Sequence, residues 1–268
     1  MSSARFSALA AVVTSEVQRR SRRAFLLAVG AALLASFALG ASVLPTEITA
    51  NLLVSYAVFL GAFALALLAL LYRQFGGEFG DALAVAGWAR LEAEDRWRRL
   101  GAGRIPRTPA EATAWLQQHD DPTTLQQQRL SAQLVAGDLV TVRVGLATYP
   151  MDTPYERFDA ANDRWFLDFM DGELPPLADL EAMAAALRDP AERRQAIVAT
   201  ATLRAHAAVA DGRDWVAPVA AVRDVVGDAA SGIIWARYIL PAWTMLMAIS
   251  ALFVGGALLF GRLTGVWR

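Results

Sequence analysis

The chain has 268 residues, 56% of them hydrophobic, a formal net charge of −1 and no Cys. That apolar share exceeds the roughly 45–50% usual in soluble domains and points to a membrane protein. A near-neutral balance leaves no electrostatic footprint for nucleic acid, and without Cys there is no disulfide, thiolate metal site or thiol nucleophile.

All 25 basic residues are Arg, which reads as codon bias, and the absence of Lys excludes a phosphate-binding P-loop. Residues 1–23 form a basic N-terminal segment that closes with Arg19, Arg20, Arg22 and Arg23. It abuts an uncharged apolar stretch at 24–44, and a second uncharged stretch follows at 52–72. At about 1.5 Å per residue each would cover roughly 30 Å, the hydrocarbon thickness of a bilayer. The eight Leu, two Val and two Phe of 52–72 supply about −5 kcal/mol toward insertion. Both the basic segment and the first apolar stretch are too long for a cleaved signal peptide, so an uncleaved span is expected. The positive-inside rule then puts the N-terminus in the cytoplasm. The short link 45–51 carries no Arg and suits an external turn.

Small residues recur every fourth position, at Ala28, Ala32, Ser36 and Gly40 and again at Ala57 and Gly61. Such rows let helices approach closely in lipid, within the chain or between copies in a homo- or hetero-oligomer. Gly76, Gly77 and Gly80 end the second span, because each costs about 1 kcal/mol in a helix interior. A juxtamembrane helix is expected within 73–107, over 81–100, with Glu92/Arg96, Glu94/Arg98 and Asp95/Arg99 spaced as i, i+4 pairs.

From 108 to 227 the punctuation is helical. Thr108-Pro109, Asp121-Pro122, Thr153-Pro154 and Asp189-Pro190 each set a capping residue before Pro, and Glu111, Glu156 and Glu192 complete capping boxes. Gly137, Gly172 and Gly212 mark stops 35 and 40 residues apart. First helices are thus expected at 122–136, 154–171 and 190–210, and second helices at 139–148, 177–188 and 215–226. This period of paired helices resembles a degenerate tetratricopeptide-like solenoid, although the family's W-x₂-L-G-x₂-Y run is absent. The resemblance implies a grooved surface that binds a peptide or protein and performs no chemistry.

A third span is expected at 238–260, within the C-terminal segment 228–268, flanked by Trp235, Tyr238 and Trp243 as interface aromatics. It offers further small faces at Ala251, Gly255, Ala257 and Gly261. The fold class expected is therefore all-α: three transmembrane helices with a cytoplasmic helical-hairpin domain between the second and third, in a bacterial inner membrane.

On a helix over 154–171, Phe158, Ala161, Trp165 and Phe169 form a core stripe. Glu156, Asp159 and Asp163 fall on another face, joined by Asp152 just before it. These four carboxylates are the candidate binding face for a basic partner peptide. Neither His119 nor His206 stands three after a Glu as in helical di-iron sites, and no catalytic or cofactor motif occurs. A non-enzymatic, membrane-anchored interaction or scaffold protein is the leading expectation, with no cofactor. An accessory subunit of a transport or secretion complex and an enzyme with an unrecognised site are the alternatives.

Overall fold

The computed structural model describes residues 2–43, 48–121 and 125–227, together with 232, 236, 240, 241, 243, 244 and 248. Among these the secondary structure is helical and includes no strand. Most of the span expected at 238–260, and the helix start at Pro122, lie outside the described residues.

The chain divides into two compact units, one made of Met1–Thr14 with Glu78–Ser231 and the other of Ser15–Gly77 with Gly232–Arg268. The second unit contains most of α1 (Ser2–Val43) and all of α2 (Ile48–Gln74). The basic N-terminal segment and the first apolar stretch are a single helix, with no break near residue 23. α1 and α2 meet where Phe25 packs edge-on against Phe63, ring centroids 5.7 Å apart, and where Arg20 donates to the carbonyl of Gln74 at 3.0 Å. That carbonyl belongs to the last turn of α2 and has no partner within its own helix, so a cation suits it doubly.

Burial in this pair follows residue size. Ala24, Ala28 and Ala32 are fully buried on α1, and Phe63, Leu67 and Leu71, also four apart, are buried on α2. The expected small row is thus occupied on α1 at Ala28 and Ala32. On α2 Gly61 is exposed, and a Cβ there would meet nothing within 4 Å, so bulky residues supply that helix's packing face. Ser36, Gly40 and Ala57 lie outside the residues whose side chains are described. Among the described residues no single helix is long and apolar enough to cross a membrane; Val58–Gln74 and Gly77–Arg99 meet the length and composition only when taken together.

Between those two helices the chain breaks at Phe75 and Gly76. A Cβ on Gly76 would stand 2.8 Å from the carbonyl oxygen of Tyr72, so the turn admits no side chain there. α3 (Gly77–Arg99) follows at once and buries Phe79, Leu83 and Val85 in the first unit.

The rest of that unit is a succession of helices joined by short links: α4 (Pro109–Gln118), α5 (Gln126–Ala136), α6 (Leu139–Ala147), α7 (Pro154–Asp171), α8 (Ala178–Ala186), α9 (Pro190–Ala210), α10 (Val216–Ala220) and α11 (Arg223–Val226). Each helix from α4 to α9 packs on its successor; α9 also packs on α7, α10 and α11. Three first helices, α5, α7 and α9, are therefore each followed by shorter partners. The caps explain the boundaries. At α7 the Thr153 hydroxyl accepts from the Glu156 amide and the Glu156 carboxylate accepts from the Thr153 amide, a closed capping box. At α4 the Glu111 carboxylate reaches one residue further, to the Arg107 amide at 2.7 Å, and at α9 Asp189 alone accepts from two amides. Gly172 adopts φ 107° and closes α7 with paired bonds to Phe169 and Asp168 carbonyls.

The main core joins α5 to α9 through Leu130, Val142, Leu146, Phe158, Trp165, Phe169, Leu180 and Leu203. A smaller one holds Trp97, Trp115, Ala102 and Ala132, with the Trp97 and Trp115 rings 5.1 Å apart and the Trp115 indole donating to the Ala102 carbonyl at 2.7 Å.

Candidate interaction surface

α3 lies across the row of first helices, and its contacts can be followed from end to end. Near its start Phe79 packs on Trp215 with ring centroids 6.0 Å apart, and Asp81 pairs with Arg223 of α11 at 3.4 Å. In its last turn, Arg96 donates to the Tyr155 hydroxyl of α7 at 2.8 Å and to Gln195 Oε1 of α9, and its guanidinium stands 5.6 Å from the Tyr155 ring centroid. Tyr155 donates to the same Gln195 oxygen at 2.9 Å, and Gln195 Nε2 donates to Glu92 at 3.1 Å. The result is a closed polar circuit of Glu92, Arg96, Tyr155 and Gln195 tying three helices together. Near its end Trp97 meets Trp115 of α4.

Only Asp95–Arg99, at 3.2 Å, forms among the three acid-to-Arg pairs expected within α3. Glu94 pairs instead with Arg90 and Arg107, and Glu92 with Arg99. The reason is that Arg96 is drawn off its own helix by better partners on α7 and α9. An open cavity of about 240 Å³ remains between α3 and the array, with Trp88, Glu92 and Arg96 on one side and Gln127, Ser131, Tyr155, Asp159, Gln195 and Thr202 on the other.

The structure divides the four candidate carboxylates. Asp152 is exposed, and it is its backbone carbonyl that meets Arg157 at 3.5 Å. Glu156 serves the α7 cap, whose Thr153 amide holds its carboxyl below the usual range. Asp159 faces inward, where its Oδ2 accepts from Gln127 of α5 and from the Tyr149 hydroxyl at 3.3 Å. Burial raises the Asp159 pKa; Arg96 and these two donors oppose that shift. Asp163, one turn on, keeps a little accessible surface, yet desolvation and then the neighbouring Asp159 charge push its pKa up to about 8. The neighbouring Asn162 side chain opposes that shift, while Asn162 Oδ1 is buried with no hydrogen-bond partner. Asp159 and Asp163 therefore titrate as an interacting pair on the inner side of α7. Tyr149 is raised as well, by burial and then by Asp159.

Sequence reasoning missed Arg96, Gln127, Tyr149 and Gln195, because their roles come from contacts across 10 to 103 residues of chain. The one legible trace was the helical phase that put Asp159 and Asp163 on a common face. The two histidines stand elsewhere. His119 stacks on Trp115 with centroids 4.2 Å apart and its Nδ1 meets the Trp115 carbonyl at 2.9 Å. His206 is wedged edge-on against Phe166 and Phe169, and burial drives its pKa down to about 4. Among the described residues no group of three His, Asp or Glu could hold a metal ion. A second cleft, of about 430 Å³, borders residues 101–106 and α4.

No protein-family model matches the chain, and neither a curated protein nor a solved structure matches it.

Proposed function

We propose that this is a membrane-anchored docking protein: α1, α2 and the apolar segment 238–260 lie in a bilayer, and the helical array recruits a protein partner on its cytoplasmic side. The observation that carries this reading is the outward face of α1 and α2. Phe25, Leu26, Leu27, Leu33, Leu34 and Leu65 are each at least 51% exposed, whereas Ala24, Ala28 and Ala32 are fully buried. α1 hides its alanines and presents its leucines, a pattern inverted for water and suited to lipid, where small residues let a helix approach its neighbour closely and large ones meet acyl chains. Four Arg between residues 19 and 23 beside this face favour a cytoplasmic N-terminus.

For the array, the tetratricopeptide-like resemblance and the succession α5/α6, α7/α8 and α9/α10 support a surface for protein recognition, with α5, α7 and α9 lining it. Alkaline carbonate extraction and topology reporters fused after residues 75 and 227 test the anchoring. Release of the full chain from membranes by carbonate would overturn it. Crosslinking in native membranes followed by mass spectrometry tests the docking role, and recovery of no protein partner would overturn that part.

A further inference from the structure

Asp159 invites a basic partner, and the structure shows that the chain already supplies one. Arg96 of α3 sits where a docked helix would place an Arg: over the Tyr155 ring, donating to the Tyr155 hydroxyl and to Gln195, with Asp159 as the nearby negative charge on the array. The face it covers is the one lined by α5, α7 and α9, and the space between is bridged by long side chains around an open cavity of about 240 Å³. Tertiary core packing at this part of α3 is thin. Among its last ten residues, 90–99, only Trp97 is buried, held in the small core with Trp115, Ala102 and Ala132, whereas Phe79, Leu83 and Val85 seat its first half. A neutral or acidic helix in the same place would leave the inward Asp159 without a counter-charge, which is expensive in a desolvated site.

We propose that the α5–α7–α9 face is a helix-binding groove occupied in cis by the C-terminal half of α3, and that a partner docks by presenting an Arg-bearing helix in place of Arg96. The inference rests on the docking role proposed above and names its ligand: an amphipathic helix whose Arg is followed by an aromatic residue, as Arg96 is followed by Trp97. Covalent connection gives α3 an effective concentration of order millimolar, so a partner must out-compete a tethered rival. Partner binding and docking of the C-terminal half of α3 are then mutually exclusive.

The test uses the full chain in lipid nanodiscs and a fluorescent synthetic peptide of residues 77–100, read by anisotropy. In the wild-type chain the groove is taken, and the peptide binds weakly. Arg96→Glu in the chain loosens the resident helix and leaves the groove intact, so the wild-type peptide should bind about tenfold more tightly or better. A peptide carrying Arg96→Glu should not bind, and adding Gln195→Ala to the Arg96→Glu chain should abolish the gain. Should Arg96→Glu impair folding, Tyr155→Phe removes one acceptor and keeps the ring; hydrogen exchange should then rise in residues 89–99 and stay unchanged in α9. The inference falls if the Arg96→Glu chain binds the peptide no better than wild type, or if α3 amides exchange only together with those of α9. If it falls while crosslinked partners still map to the array, the docking role stands without it. If the peptide binds as expected and membranes yield no partner, the docking role falls and the groove serves α3 alone.

Discussion

Asp163→Asn isolates the most unusual charge in the array. The carboxyl's pKa stands near 8 in the folded chain, against about 4 when unfolded, so between those values the native state holds a proton that the unfolded state has released. Native stability therefore falls as pH rises through this window, by up to about 1.4 kcal/mol per unit. His206 acts oppositely. Its folded pKa is depressed to about 4, below the unfolded value near 6.5, so its contribution is lost as pH falls from about 6.5 to 4. The two slopes offset each other below about pH 6.5, and only the Asp163 slope remains between about 6.5 and 8. Over those one and a half units the wild-type chain should lose about 1–2 kcal/mol, the lower end reflecting the solvent that still reaches Asp163 and its sharing of charge with Asp159. For a unit of this size that is a fall of a few degrees in melting temperature. Asn keeps the shape and holds no titrating proton. Circular dichroism melts of wild-type and Asp163→Asn chains in nanodiscs should therefore diverge as pH rises from about 6.5 to 8, with the variant the flatter. In the variant the His206 slope should also emerge, with stability climbing from about pH 4 to 6.5. Parallel curves for the two proteins over the upper window would refute the reasoning.

Gly172→Val should destabilise the array by more than about 1 kcal/mol in chemical denaturation, because a β-branched residue at φ 107° is strained and the α7 cap depends on that turn. Gly145→Ala in α6 should cost about 1 kcal/mol net: its Cβ would fall 2.5 Å from Cδ2 of the buried Leu130, and overpacking of about 1–3 kcal/mol outweighs the roughly 1 kcal/mol gained in helix propensity. Trp115→Phe should lower the melting temperature more than its lost area alone implies, since the Ala102 carbonyl loses its indole donor inside the small core; a change indistinguishable from wild type would count against that bond. Arg20→Met should loosen the junction of α1 with the end of α2, read as faster hydrogen exchange at Leu71–Phe75 in nanodiscs.

What the sequence made legible was whatever is local. The Thr153 and Asp189 caps, the left-handed turns at Gly137 and Gly172 and the stripe Phe158, Trp165 and Phe169 are written within a few residues of where they act, and each could be placed from spacing alone. The compact unit, by contrast, reaches back to Glu78, because α3 packs on helices over a hundred residues later. Nothing in the run Glu92–Arg99 distinguishes a solvated ladder of ion pairs from a helix that sends one Arg to Tyr155. For the same reason helical phase could group Asp159 and Asp163 but could not say that the shared face points inward. Small-residue spacing marked the buried face of α1, whereas within the chain α2 answers it with Phe63, Leu67 and Leu71 and leaves Gly61 exposed, since a helix contact needs close approach from only one side.

The fit of α1 to α2 also bears on how the gene can change. Arg20 is bonded to the end of α2, while Ala24, Ala28 and Ala32 must stay turned inward. Each residue inserted into a helix rotates everything beyond it by about 100°. A single-codon insertion between Arg20 and Ala24 would advance every later residue by one position and put Leu27 where Ala28 now fits, in a seam sized for methyl groups, whereas a seven-residue insertion would nearly restore the phase. Length variation in this helix pair should therefore be admitted in numbers of residues that restore the phase, and single-residue insertions between Arg20 and Ala24 should behave as null alleles although every inserted residue is itself a good helix former.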